Sequence, residues 1–344
     1  MSEASTIPVP WRTRLRAWWE GYDPLEYVEW RDGASLDPDD VEVPASIALP
    51  KTMSLDELMA DEPSTRDTAG ESVDEAFLEE ESPDPVWPRA KMEISQRVFG
   101  RGFIVPGGPE HAVEVVRSLG LDPVQSVLDL SMGLGGPAAA MAERYGTWIT
   151  GYERNRALLN LASTVLTTVK SGDQVRGNHL DPDSLYLPRK KFDVVLSSES
   201  MHRVQDRIAL LGKIRNAMKD WGQFLMSDYV LPQEGQASDR LMAWMRNRGE
   251  PVTLWTREQY EVALSNQGLD IRVIKDESEQ HAEMIRQDFA EFVTSLNANK
   301  SVTDTPLGGA ALMDLAEDWS RLATLLQKGE LQLLRFLAMK PEDS

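Results

Sequence analysis

The sequence predicts an α/β protein: a doubly wound, mostly parallel, seven-stranded sheet behind an acidic, largely irregular N-terminal extension. Three observations carry this. From Trp87 onward, short apolar runs alternate with amphipathic stretches of helical period, the pattern of strand–helix–strand crossovers. The first of those runs, "SVLDLSMGLGG" at 126–136, ends in a glycine turn that opens a helix. The charge is also divided. Residues 1–90 hold 22 acidic and 7 basic side chains, whereas residues 91–344 hold 34 and 29.

Along the chain, residues 1–30 read as a Trp/Arg-rich helix from about Trp11, with Trp11, Leu15, Trp18 and Trp19 on one face. Such a helix docks on the main domain, on a protein partner or peripherally on a membrane. Residues 31–86 are acidic and rich in Pro, Ser and Asp, too poor in apolar surface to offset their ordering entropy, and read as a partly disordered linker. The third region, 87–344, is globular. "GPEHAVEVVRSLGL" is a helix ending at Gly120, "QSVLDLSM" the first strand, and "GPAAAMAERY" a helix closed by Gly146. "TWITGYE", "DQVRGNHL" and "FDVVLSSES" supply strands two to four, with the helix "RALLNLASTVLTTV" after strand two. Then come the helix "DRIALLGKIRNAM", the strand "GQFLMSDYV", the helix "TREQYEVALSNQGL" and the strand "DIRVIKD". Two long helices, "AEMIRQDFAEFVTSL" and "DLAEDWSRLATLLQKGE", precede a last strand, "LQLLRFLAMK", which returns after strand six and is expected in an antiparallel edge hairpin.

Composition removes several kinds of function. The chain has no cysteine, which excludes disulfides, thiolate metal sites and cysteine nucleophiles. It has four histidines, His111, His179, His202 and His281, so no metal is expected. The net charge of −20, with no basic excess in either part, disfavours nucleic acid. No run approaches the length of a membrane span, and "MSEASTIPVP" lacks the features of a signal peptide. A cytoplasmic location is the expectation.

The glycine turn points to a nucleotide-like ligand, because such sheets bind ligands where strand order reverses, at the carboxyl ends of the strands. Gly133, Gly135 and Gly136 follow the first strand, and Glu153 closes the second. Missing Cβ atoms allow close approach to the backbone, and a carboxylate at Glu153 can accept both hydroxyls of a ribose. This much serves NAD as well as S-adenosylmethionine. Asp129, at the end of strand one, tips the balance: it suits a cationic amino acid moiety and would repel a pyrophosphate.

With these segments in place, residues 87–340 resemble the phosphoethanolamine N-methyltransferases and, more widely, the class I S-adenosylmethionine-dependent methyltransferases. "RVFGRGFIVPGGPEH", "VLDLSMGLGGPAAAMAERYG", "SMHRVQDR", "SDYVL", "WTREQYEVALSNQGL" and "EDWSRLATLLQKGELQLLRFLAMK" stand in that family's order. The resemblance implies a Rossmann-like methyltransferase fold, S-adenosylmethionine as cofactor, and a small-molecule or lipid-precursor acceptor, an amine. It implies that Asp129, Gly133 and Gly135 line the methionine part of the cofactor. Glu153 would hold the ribose, Asn178 and His179 flank the adenine, and Ser197 face the sulfonium region. His202 matches a histidine that helps close and activate the site, and a histidine's ordinary pKa, near 6.5, suits it to take a proton. Tyr229 and Arg248 match phosphate-contacting residues.

The departures from the family are specific. Ser131 and Met132 stand where the turn normally begins with glycine, and Trp87 where a catalytic tyrosine is expected. Trp244 and Glu250 stand where phosphate-binding tyrosines are expected. A carboxylate repels phosphate, so phosphoethanolamine itself is not the expected acceptor. The alternative is a catalytically degenerate methyltransferase fold serving as a binding or scaffold subunit.

Overall fold

A computed structural model describes residues 86–344, except 182–183, 297–305 and 343–344. The expected N-terminal helix and nearly all of the expected acidic linker lie outside the described residues.

The chain enters through a helix not assigned from the sequence, α1 (Arg89–Phe99), which leads by a glycine-rich entry loop to α2 (Gly108–Val116). The predicted helix to Gly120 is shorter than read. It tightens into a 3-10 turn at Arg117–Leu119, and Gly120, at φ +65°, ends it. The crossovers follow: β1 (Ser126–Asp129), α3 (Gly136–Tyr145), β2 (Trp148–Glu153), α4 (Arg156–Leu166), β3 (Val175–His179) and β4 (Phe192–Ser198). The second half comprises α5 (Arg207–Ala217), β5 (Met218–Leu231), α6 (Asp239–Arg246), β6 (Trp255–Thr256), α7 (Arg257–Asn266), β7 (Asp270–Asp276), α8 (Ser278–Leu296), α9 (Pro306–Gln327) and β8 (Gln332–Met339).

The sheet order is β3-β2-β1-β4-β5-β8-β7, with β6 attached to β5. The pairs from β3 to β5 are parallel, and β8 runs antiparallel to both β5 and β7. The seven-stranded, doubly wound reading holds on this main path, and β6 is an eighth strand of two residues, too short to show a period. The expected antiparallel edge is present as the pair β7–β8, although two helices rather than a tight turn connect its strands. β8 is inserted between β5 and β7, and β7 takes the edge, as its more exposed side chains require. β5 also starts four residues earlier than read, because Met218 already pairs with Phe192 and Trp221 takes a left-handed φ of +64°.

Apolar side chains cover both faces. Leu210, Leu211 and Ile214 of α5 and Tyr260 and Leu264 of α7 pack on one face. Val116, Met141 and Ala162, from α2, α3 and α4, pack on the other. A third cluster joins α1, α6, α8 and α9 through Phe99, Trp244, Phe289 and Leu322. Strand order reverses between β1 and β4, and this helical cluster caps the carboxyl ends of the strands there. The fold therefore encloses a cavity at the place where such sheets bind ligands.

Candidate active site

The cavity has a volume of about 480 Å³. One half is built by the ends of β1 and β2. Asp129 is 5% exposed, and its Oδ1 accepts from the Ser131 backbone N–H at 2.9 Å and from the Ser131 hydroxyl at 3.1 Å. Burial pushes the Asp129 carboxyl up to about 6; the Ser131 hydrogen bonds oppose this and the charge of Glu153 adds to it. No cation pairs with Asp129 among the described residues. Ser131 also accepts from the Ser198 backbone N–H at 2.7 Å, so the serine in the first glycine's place ties β1 to the end of β4. It needs no positive φ. Met132 is buried under the turn, and its thioether lies against Gly151 and Gly177, where a Cβ would meet Sδ at 2.3 Å and Cε at 3.0 Å. Glycines on β2 and β3 thus accommodate the methionine below the turn.

The glycines of the turn have separate tasks. Gly133, at φ +56°, lines the cavity, and its N–H donates to Glu153 Oε2 at 2.9 Å. Gly135 does not line it: with φ +86°, its position faces Leu166, which a Cβ would meet at 2.7 Å. Gly136 donates its N–H to the Gly102 carbonyl at 2.9 Å, clamping the entry loop to the start of α3. Glu153 is fixed from both sides, because its Oε1 accepts from the Asn155 N–H at 2.8 Å. Burial raises its pKa, against the lowering effect of those two N–H groups and of Arg203 and Arg154. Each oxygen keeps a lone pair for a ligand hydroxyl. His179 lines the cavity beyond β2, whereas Asn178 turns its amide to the Gly151 and Arg176 carbonyls and stays out of it. Asp181 lines the cavity on that side.

The other half is charged. Three of its ion pairs join lining residues: Lys91–Asp318 at 3.3 Å, Arg203–Glu250 at 3.3 Å and Arg335–Glu277 at 2.9 Å. Arg248 also lines the cavity and stacks 5.0 Å from the Trp244 ring, with no ion pair or hydrogen bond to its guanidinium among the described residues. Burial and then the like charge of Arg203 push its pKa below the usual value. Glu199, at the end of β4, also faces the cavity. Its φ is +49°, a left-handed conformation that costs a non-glycine residue roughly 1–2 kcal/mol. The Tyr229 hydroxyl donates to its Oε2 at 2.5 Å. Burial and the charge of Glu199 hold the Tyr229 hydroxyl well above its ordinary pKa, so it stays protonated.

Of the residues singled out from the sequence, Asp129, Gly133, Glu153, His179 and Arg248 come together on this cavity. Gly135, Asn178, Ser197, His202, Tyr229 and Trp244 lie behind its wall. Ser197 is fully buried and bonds Ser200, since strand alternation turns Ser198 to the cavity in its place. His202 is 1% exposed. Its Nδ1 lies 2.6 Å from Asp228, and Arg203 donates to its Nε2 at 3.3 Å. Burial lowers its pKa, while Asp228 opposes the shift. With both nitrogens engaged, His202 orients Arg203 and does not face a substrate here. Sequence reasoning did not single out Glu199, Arg203, Ser131 as a bridge, or the entry loop at Gly102. The Glu199–Tyr229 contact spans 30 residues and is set by sheet register, which no local motif encodes.

A family model described as "Methyltransferase domain" matches residues 108–273. A phosphoethanolamine N-methyltransferase of Triticum aestivum is 29% identical over 246 residues, 71% of this chain and 47% of that protein. One of Plasmodium falciparum is 22% identical over 232 residues, 67% of this chain and 84% of its own length. The chain spans about half the length of the plant relatives. Among solved structures, Haemonchus contortus phosphoethanolamine N-methyltransferase 2, with phosphomonomethylethanolamine and S-adenosylhomocysteine, superposes with a TM-score of 0.64 at 21% identity, covering 73% of this chain and 57% of that one. The [4+2]-cyclase SpnF superposes at 0.56 with 18% identity, covering 74% and 94%. The fold is therefore the Rossmann-like fold of class I methyltransferases, and the sequence resembles the phosphoethanolamine N-methyltransferases.

Proposed function

We propose that the protein transfers a methyl group from S-adenosylmethionine to the nitrogen of a small amine of the lipid-precursor kind. The observation that carries this reading is Asp129, a buried carboxylate without a cation, placed beside Glu153 and the close-approach glycine Gly133. These residues fit the cofactor's parts: Asp129 its ammonium, Gly133 its amino acid backbone, and Glu153 its ribose hydroxyls. When bound, the cofactor supplies an electrophilic methyl. The chain's residues exclude water, orient the acceptor and neutralise its charges. Calorimetry with S-adenosylhomocysteine tests this: micromolar binding is expected, weakened at least thirtyfold in Glu153→Ala, and the absence of heat at millimolar ligand would sink it.

A second reading, a binding or scaffold subunit on a degenerate fold, draws support from His202, whose nitrogens are both engaged behind the wall. SpnF, named as a cyclase, has the same fold, so fold alone does not decide the chemistry. Methyl turnover on a panel of small amines would eliminate the scaffold reading. The domain division at residue 87, a cytoplasmic location and a peripheral membrane or protein contact through residues 1–30 belong to the same proposal and rest on the sequence. No helix among the described residues is long and apolar enough to cross a membrane. Co-sedimentation with anionic vesicles should be lost when Trp11, Trp18 and Trp19 are replaced by serine, and unchanged sedimentation would remove the membrane role.

A further inference from the structure

The acceptor half of the cavity is lined by four cationic side chains, Lys91, Arg203, Arg248 and Arg335, and four anionic ones, Glu199, Glu250, Glu277 and Asp318. Three cations are joined to three of the anions. Arg248 and Glu199 remain, one charge of each sign, and both face the cavity. Arg248 has the Trp244 ring behind it and no anion bonded to it. Glu199 accepts from the neutral Tyr229 hydroxyl, and a left-handed backbone carries it at the cavity wall. It also follows directly on Ser198, whose N–H is held by the serine that bonds Asp129. The Glu199 carboxylate is therefore built onto the same framework as the proposed cofactor anchor.

We propose that the acceptor is a small zwitterion of zero net charge, with its ammonium nitrogen on Glu199 and a singly charged anion, of the carboxylate kind, on Arg248; the Glu199 carboxylate takes the N–H proton, the freed lone pair forms the N–C bond as the methyl's C–S bond breaks, and the C–S electron pair stays on sulfur, so that neutral S-adenosylhomocysteine leaves. This rests on the methyl-transfer reading and narrows its substrate. A site whose own charges cancel gains most from a ligand whose charges also cancel, because every buried charge must find a partner. A doubly charged phosphate would need a second free cation. Glu250 already occupies Arg203, the other two cations of this half are paired, and Arg154, on the cofactor side, donates to the Arg203 carbonyl. Glu199, which the family resemblance did not point to, becomes the residue that selects the nitrogen end.

The test uses the full chain at pH 8 and four probes that separate the charges: choline (cation alone), acetate (anion alone), glycine betaine (both), and phosphocholine, which carries an extra negative charge. Glycine betaine and choline are already fully methylated at nitrogen, so binding is read without turnover. Affinities are measured by calorimetry or ligand-observed NMR, with and without S-adenosylhomocysteine. Glycine betaine is expected to bind at least tenfold tighter than choline, acetate or phosphocholine. Glu199→Gln should weaken betaine and choline at least tenfold and leave acetate within twofold. Arg248→Met should weaken betaine and acetate at least tenfold and leave choline within twofold. S-adenosylhomocysteine affinity, the control for folding, should stay within threefold in both variants. Phosphocholine binding tenfold tighter than betaine, or choline binding unchanged by Glu199→Gln, would overturn the proposal. Failure of S-adenosylhomocysteine to bind would remove the methyl-transfer reading, while the charge dissection would still decide whether the cavity takes a zwitterion.

Discussion

At the scale of single residues, Asp129 is held in a state that opposes folding and favours a ligand. Its folded pKa of about 6 lies above the ordinary 3.8. A group raised in this way contributes stability below pH 3.8 that is lost as pH rises through 6. At pH 7.5 the native state holds an ionised, buried, unpaired carboxylate. Asp129→Asn should therefore stabilise the free protein at pH 7.5, by up to about 3 kcal/mol for a shift of some two units, and by about half as much at pH 5, where the unfolded carboxyl is ionised and the folded one is not. Urea midpoints at the two pH values check this, and an equal gain at both would contradict it. The same substitution should cost S-adenosylhomocysteine at least tenfold in affinity, and wild-type affinity should fall below pH 6 as the carboxyl protonates. Stability and binding thus depend on Asp129 with opposite sign, as expected where function keeps a strained group. Ser131 sharpens the point. A departure that looks damaging in the sequence adds a hydroxyl that donates to Asp129 and accepts from the Ser198 N–H of β4, so it completes the turn.

At the scale of elements, the entry loop and the start of α3 are joined by a contact that only glycines permit. A Cβ on Gly136 would stand 2.4 Å from the Gly102 carbonyl oxygen, and one on Gly102 would stand 3.0 Å from the Gly136 Cα. Both neighbours are backbone and cannot rotate away. Gly136→Ala should therefore destabilise by at least about 2 kcal/mol, in the range of overpacked cores, and also weaken S-adenosylhomocysteine, because the entry loop roofs the cavity. Gly120→Ala offers a comparison: its Cβ would meet nothing within 4 Å, so it carries only the φ penalty. A loss no larger at Gly136 than at Gly120 would refute the clamp. Much of the element layout was legible in the sequence. The period of apolar residues located the crossovers, and the spacing from Asp129 to Glu153 located the cofactor half, because both are local. The individual glycines were not separable, since Gly133 faces the cavity, Gly135 faces Leu166 and Gly136 faces the entry loop. Which neighbour each meets depends on segments far away in the chain.

At the scale of the whole molecule, the cavity is the seam between two bodies of core. Its cofactor half stands on the parallel strands, whereas its acceptor half is walled largely by α1, α8, α9 and the segment after α6 that carries Arg248 and Glu250. This explains why the two halves differed in legibility. Asp129, Gly133 and Glu153 follow one another within a single crossover. The acceptor pairs join residues as far apart as Lys91 and Asp318, separated by 227 positions. A ligand filling the first half fastens the seam, so binding should stabilise the entire fold. At a concentration one hundred times Kd, a ligand that binds only the native state adds about 2.7 kcal/mol. For a domain of roughly 250 residues, that amounts to a rise in Tm of about 5–10 °C. Differential scanning fluorimetry of the full chain with S-adenosylhomocysteine should give this rise as one cooperative transition. In Glu153→Ala, at the same ligand concentration, a thirtyfold weaker Kd leaves about a third of this rise, so about 3 °C or less is expected. A ligand-dependent second transition would mean that the helical cap and the sheet unfold separately. In that case cofactor binding would leave the acceptor wall unorganised, and the coupling through Ser131, Ser198 and Glu199 would fail with it.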